Sequence, residues 1–362
     1  MPLLRMDAPE KPPMAGRQPW IDIFKGISIL LVVLGHMSIP QKLYTWIYLF
    51  HMYAFFFIAG VTYHYRETRS WWQYFCGSVR RLYVPYLCYG TVWNLILIIR
   101  GVQSGAIALS GRYLIADALS VLLGGKLFYW VESSGPVWFL CALLFVRVTF
   151  DGIAKSTKNN YLLLFLFSIA TFFLAWVNRG RSYFFLRPFR IGQSLSGFIF
   201  FFFCYVISRY LPQIHSCFAV SQGRWRGIAG CGICGLILCW MTALSEKPLV
   251  LAQDSIPERW YVILAGGIAG CILVMLVSML LESLPGLSQL LSYYGKNSMV
   301  VMGTHREIRL LVLSVLEQVA PLCAAWGITA IAFFLIMLLS IPVIQILSSY
   351  CPVIVGGGSR KQ

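Results

Sequence analysis

The sequence predicts an all-α, polytopic integral membrane protein with about ten transmembrane helices and both termini cytoplasmic. Three observations carry that expectation. The 362-residue chain is 59% hydrophobic and only 12% charged, about half the ~25% charge of a soluble domain. Its mean hydropathy is +0.73. Apolar runs recur from Asp22 to Leu347 with no long polar block between them, so a length that would suggest two or three soluble domains reads as one membrane domain.

In order, the apolar segments fall near residues 22–39, 44–62, 82–100, 136–150, 161–177, 194–210, 225–244, 261–281, 288–305 and 322–347. Each approaches the ~20 residues that cross ~30 Å of hydrocarbon. Lys296 and Asn297 interrupt the ninth, and His305, Arg306, Glu307 and Arg309 follow it. The stretch 306–320 is expected to lie as an amphipathic helix at the interface. Gly266-x-x-x-Gly270 in the eighth segment predicts close helix packing. The organisation is a cytoplasmic tail over 1–19, a membrane domain over 20–350 and a second tail over 351–362. Residues 1–19 are polar and proline-bearing, and no small-residue cleavage site follows the first apolar run, which reads as a retained helix.

Charge sets orientation. With the amino end inside, the inner segments hold 17 of the lysines and arginines and the outer ones 12. Much of the outer share comes from one loop, Arg179-Gly-Arg181 to Arg187-Pro-Phe-Arg190. A loop that defies the bias is a candidate for holding an anionic acceptor; the plainer reading is that later loops tolerate charge once the first helices fix topology. The net charge of +16 suits loop cations meeting anionic lipid headgroups. No Lys/Arg cluster sits on a soluble module, which excludes nucleic acid binding. Of the 11 cysteines, most lie in apolar runs and read as small hydrophobes. Cys231-Gly-Ile-Cys234 lies in a spanning segment with no histidine or second pair nearby, so no metal site is expected.

The first segment carries the chemistry. Lys25 and His36 are eleven residues apart, so on a helix they share one face about 16 Å apart along the axis. One small group cannot touch both. A long ligand with a charged head and a thin arm can, and acyl-coenzyme A has that shape. The alternative is that Lys25 snorkels to the headgroups and His36 caps the helix. In the second segment His51 shares a face with Tyr44 and Tyr48. The chain has only five histidines, and three lie in or at the end of expected spans, where an imidazole is costly unless it faces protein or water.

Asp22-x-x-Lys25-Gly26 leading to Gly35-His36, then Phe50-His51-Met52 with Phe55-Phe56-Phe57 and Gly60, resembles the opening of the membrane acyltransferase family 3. The chain is most similar to that family's fucose 4-O-acetylase-like branch. Gly135-Pro136-Val137-Trp138-Phe139-Leu140 and Tyr294-Gly295-Lys296-Asn297-Ser298 running to His305 extend the resemblance. Two departures stand out. Many members carry arginine where this chain has Lys25, and many carry proline where it has Tyr53. Lysine supplies a cation but not a bidentate fork.

The resemblance implies an O-acyltransferase that takes an acyl group, usually acetyl, from acyl-coenzyme A at the cytoplasmic side. No permanently bound cofactor is implied. The acceptor is a sugar hydroxyl of a surface polysaccharide or its lipid-linked precursor, and the membrane is a bacterial inner membrane. Read onto this chain, His36 is the catalytic base and Lys25 its cationic partner. A neutral imidazole, with an ordinary pKa of ~6.5, can take the hydroxyl proton during attack on the thioester. An acyl-histidine is an alternative. His51 or Trp138 would donate to the oxyanion. Asp22 would balance Lys25 or sit at the positive end of the helix dipole. Arg80 and Arg81 would hold coenzyme A phosphates. Trp138, Arg187, Arg190 and His305 would face the acceptor. The competing reading is a transporter or flippase of a glycan or lipid precursor. It predicts repeated halves with broken helices, and the sequence shows no matching repeat. A non-catalytic scaffold is disfavoured by the retained Lys25, His36 and His51.

Overall fold

Pro19 opens the first helix, α1 (Pro19–Gly35). Its fixed φ suits a helical start and its missing N–H costs nothing in the first turn, while Asp22 puts a carboxylate beside the positive end of the dipole. The computed structural model describes residues 18–108, 110–125, 127–128, 135–181, 183–219, 221–253, 256–257, 259–319 and 325–355. The tails expected over 1–19 and 351–362 lie largely outside the described residues.

α2 (Gln41–Tyr48) and α3 (His51–Val61) are two lengths of one span, interrupted at Leu49 and Phe50. Ser70 starts α4 (Trp71–Ser78) with a capping box closed by Gln73. A π turn, Val79–Tyr83, leads into α5 (Val84–Gln103). It sits just ahead of Pro85, whose ring removes a backbone donor from the ladder. Ser110 caps α6 (Gly111–Leu122) by accepting from the Tyr113 N–H. The 3-10 turn Gly135–Val137 feeds α7 (Trp138–Ser156), and Asn160 caps α8 (Tyr161–Val177). Then come α9 (Ile191–Ser194) and α10 (Gly197–Ile207), bent so that Pro188–Ser194 and Gly197–Ile207 meet at 70°. α11 (Leu211–Ala219), α12 (Ser221–Leu244), α13 (Trp260–Leu281), α14 (Pro285–Lys296), α15 (Ser298–Val319) and α16 (Ala325–Tyr350) complete the chain. The described residues contain no strand.

Among the described residues, six helices are by length and composition able to cross a membrane, or seven with the bent pair. The other three expected segments are short or polar. α8 has 17 residues; α1 has 17 and carries Asp22 and Lys25; the ninth is divided at Asn297. That division corrects one expectation. Residues 306–319 do not form a separate interfacial helix but continue α15 without a break from Ser298, and His305 is buried within it.

The centre of the bundle is α1, α3, α10, α13 and α14. Its closest approaches are made through glycines. A Cβ on Gly295 of α14 would fall on the Asp22 carbonyl, one on Gly26 on the Leu291 carbonyl, and one on Gly60 on the Phe201 carbonyl. Gly266 and Gly270 admit Leu49, Met241 and the Phe50 ring, so the GxxxG stripe does pack closely. Asp22 of α1 meets Gly295 of α14 and Gly26 meets Leu291, so α14 packs on α1 in the opposite sense, while the His36–His305 contact carries α15 alongside α1 in the same sense. α3 runs opposite to α1, pairing Phe24 with Phe57 and Gly35 with Tyr48. α10 runs with α3, since Tyr53 meets Ser196 and Gly60 meets Phe201.

These senses give the bundle two polar ends. At one, Tyr63 Oη and Arg69 Nη2 donate to Asp151 Oδ1 at 2.9 and 2.6 Å, and Asp151 is fully buried. Trp71 Nε1 donates to the Val148 carbonyl at 3.0 Å, and Lys155 Nζ to that of Arg66 at 3.0 Å. These bonds fasten the 62–70 connection to α7. The other end holds the histidines.

Candidate functional site

α1 ends on His36 because the backbone leaves the helix there, at φ −93° and ψ 2°. The His36 ring lies on the His305 ring of α15, centroids 5.1 Å apart and planes 27° from parallel. His36 therefore faces protein rather than lipid. His51 opens α3 across the antiparallel α1–α3 contact. Its ring lies 4.4 Å from that of Tyr48, which stacks on Tyr44 at 3.9 Å. Tyr48 Oη donates to the Gly35 carbonyl at 3.2 Å. Gly35 leaves room for that ring, since a Cβ there would stand 3.0 Å from it.

Backbone carbonyls fix two of the three imidazoles. His51 Nδ1 lies 3.0 Å from the Ile47 carbonyl, and His305 Nδ1 lies 2.9 Å from that of Val301 and 3.1 Å from that of Met302. A carbonyl only accepts, so each Nδ1 carries the proton and each neutral ring presents Nε2 as a lone pair. His305 Nε2 is buried and unpartnered among the described residues. Among those residues the His36 ring makes no hydrogen bond, although its backbone N–H donates to the Val33 carbonyl at 3.1 Å. A buried acceptor beside an untethered imidazole is a place for a hydroxyl to sit.

Cations rim this pair. Arg306 lies over the Trp93 ring of α5 at 4.7 Å, and Arg306 and Arg309 are within electrostatic range of His36. Gly303 makes room for Tyr89, and Gly135 for Trp93; Gly135 has φ +45°, a left-handed conformation that a side chain disfavours. The Gly135-Pro136-Val137-Trp138 stretch thus wedges between α5 and α15 and delivers Trp138 at the head of α7.

Arg190 stands over Trp138, its Cζ 5.7 Å from the ring centroid, and its Nε donates to the Gly124 carbonyl at 2.9 Å. It is only 4% exposed. Phe189 and Arg190 are both left-handed, at φ +51° and +58°, which costs of order 1–3 kcal/mol each. Arg190 therefore braces Trp138 from a strained turn, while Arg187 donates to the Leu127 carbonyl at 3.0 Å and borders a neighbouring cavity.

The remaining predicted residues lie elsewhere. Lys25 is half-buried and Asp22 buried, both on the opening turns of α1. Arg80 and Arg81 are exposed on the π turn, which packs against α7. The structure brings together His36, His305, His51 and Arg306, and separately Trp138 and Arg190. Sequence reasoning missed Trp93, whose signal was its spacing of four from Tyr89 on one face of α5. It also missed Asp151, a lone carboxylate closing an apolar run, which is the kind of residue lipid tolerates only when paired.

Residues 18–348 match the model of a family described as an acyltransferase domain. The match spans nearly the whole chain, which therefore belongs to the acyltransferase 3 family and is a membrane acyltransferase. No curated protein and no solved structure matches the chain.

Proposed function

We propose that this membrane acyltransferase moves an acyl group, acetyl by the habit of its family, from acyl-coenzyme A to a sugar hydroxyl. The acceptor is a surface polysaccharide or its lipid-linked precursor, and the site of action is a bacterial inner membrane. The observation that carries the reading is the stacked His36–His305 pair at one end of α1 with Lys25 near the other. About 16 Å of helix separates the two ends, a length that a pantetheine arm spans. Lys25 takes the charged head of the donor, with Arg80 and Arg81 as further phosphate ligands, and Asp22 orients or balances Lys25.

The attacking hydroxyl donates to His36, and His305 Nε2 accepts from a neighbouring hydroxyl of the acceptor sugar. His36 takes the attacking hydroxyl's proton as the oxygen attacks the thioester carbonyl. The C–O bond forms, the C–S bond breaks, and the imidazolium returns the proton to the departing thiolate. His51 holds its Nδ1 proton on Ile47, so in that tautomer it offers the oxyanion no N–H. Arg306, beside His36, is then the donor suited to that charge, Trp138 lying apart with Arg190, and His51 serves the acceptor as a hydrogen-bond acceptor.

The test supplies purified protein with radiolabelled acetyl-coenzyme A and a lipid-linked glycan extract. The expected result is label transfer that falls about 10²–10⁴-fold in His36→Ala while the protein remains folded. Undiminished transfer in that variant removes His36 from the mechanism. Uptake of a glycan or lipid into proteoliposomes without any transfer replaces the reading with that of a transporter.

A further inference from the structure

Arg179, Arg181 and Arg187 border one small cavity of about 30 Å³ at the histidine end of the bundle, room for a single carboxylate-sized group rather than for a whole sugar. We propose that this cavity binds a carboxylate or phosphate carried by the acceptor glycan, so that the enzyme's acceptor is an acidic polysaccharide. The inference rests on the acyl-transfer reading for its use of the word acceptor, and on the cavity for the charge.

Two of the three guanidiniums are held in place. Arg179 stacks on Trp176 at 4.6 Å and donates from Nη1 to its carbonyl at 3.0 Å. Arg187 lies over Phe184 at 5.7 Å and donates from Nη1 to the Leu127 carbonyl at 3.0 Å. Arg181 is exposed at the rim. Like charges converging on one cavity repel, and a fixed anion between them converts that repulsion into charge-assisted hydrogen bonds. Exposed Tyr183 borders the same cavity and offers an aromatic face to sugar C–H groups. The floor links to the reaction centre. Gln193 and Leu195 line the cavity, and the next residue, Ser196, accepts from Tyr53 Oη at 3.1 Å, two residues from His51. The 70° bend at this point is what turns one face of the segment to the cavity and the other to α3.

The probe is a glucuronate-bearing oligosaccharide, set against its carboxyl-reduced neutral counterpart. Binding to detergent-purified full-length protein is read by tryptophan fluorescence with no acyl donor present. The acidic form is expected to bind at least tenfold more tightly, with the preference shrinking as salt rises. It is expected to fall below threefold in Arg181→Gln, and further in Arg179→Gln/Arg181→Gln. Arg181 is exposed, so its replacement leaves the fold intact. Equal binding of the two forms by the wild type overturns the proposal, as does a preference that survives in both variants. Protein that instead retains phosphatidylglycerol through these arginines, with no acid preference among sugars, also overturns it and makes the cavity a lipid site. Acid preference without any acyl transfer from coenzyme A leaves the cavity standing and removes the transferase reading; transfer with no acid preference does the reverse.

Discussion

His305 shows what one residue can and cannot contribute by itself. Its Nδ1 is spent on the carbonyls of Val301 and Met302, so it cannot present an N–H to substrate while neutral. Its value lies in Nε2 and in the ring against His36. The ring contact alone is worth about 0.5–1.5 kcal/mol, a factor of roughly two to thirteen if all of it were expressed in rate. His305→Phe keeps a ring and deletes the nitrogen. If Nε2 holds a neighbouring hydroxyl of the acceptor, that variant raises the acceptor KM and lowers kcat by more than tenfold, with the coenzyme A KM within twofold of wild type. A loss of tenfold or less in kcat with an unmoved acceptor KM would reduce His305 to packing. Lys25 gives the opposite split. Lys25→Ala is expected to weaken coenzyme A binding by roughly 1.5–3 kcal/mol, the worth of a hydrogen bond to a charged group, while sparing the acceptor. Calorimetry with each ligand separately checks this, and equal weakening of both would contradict a site divided along α1.

Among elements, the α1–α14 contact controls where the proposed donor end of the site stands. Asp22 and Gly26 of α1 meet Leu291 and Gly295 of α14 backbone to backbone. No rotamer change can relieve a methyl group placed there, because the obstacle is a carbonyl. Gly295→Ala is expected to cost at least the ~1–3 kcal/mol of an overpacked core and to push α14 off α1. Thermal unfolding in detergent should show the loss, and coenzyme A binding should weaken with it. A variant as stable as the wild type would mean that the two helices do not touch there. The resemblance to a known family rested partly on Tyr294-Gly295-Lys296-Asn297-Ser298, and the structure gives that stretch a physical reason. Gly295 lets the helices meet, and Asn297 ends α14 by folding its Nδ2 onto the Tyr293 carbonyl at 2.8 Å. The same break divides the apolar segment 288–305 between α14 and α15. Arg306 reads as interfacial in a hydropathy pattern, whereas here, half-buried, it is housed on Trp93, a cation–π contact worth about 0.5–2 kcal/mol.

Across the whole molecule, the helix senses put the histidines and the Arg179–Arg190 loop at one end and the Tyr63–Asp151–Arg69 cluster at the other. If the lysine-rich segments lie inside, Arg181 is on the outer side and both termini are on the inner. Single-cysteine variants at position 181 and at each terminus, labelled in intact cells with a membrane-impermeant maleimide, should react only at 181. Labelling of either terminus would reverse the orientation and with it the side from which the acceptor arrives.

The sequence by itself determined the helical class and the apolar segments, because solvent preference and helical period are local properties of a chain. It also exposed the glycines and histidines through which the family is recognised. Only the tertiary structure decided that His305 lies on His36, and that Arg190 braces Trp138 while Arg179, Arg181 and Arg187 line a cavity. Each of those facts joins residues far apart in the chain, through ring stacking, carbonyl hydrogen bonds or backbone contact at a glycine. Such pairings arise from which helices meet and in which sense, and no local pattern encodes that.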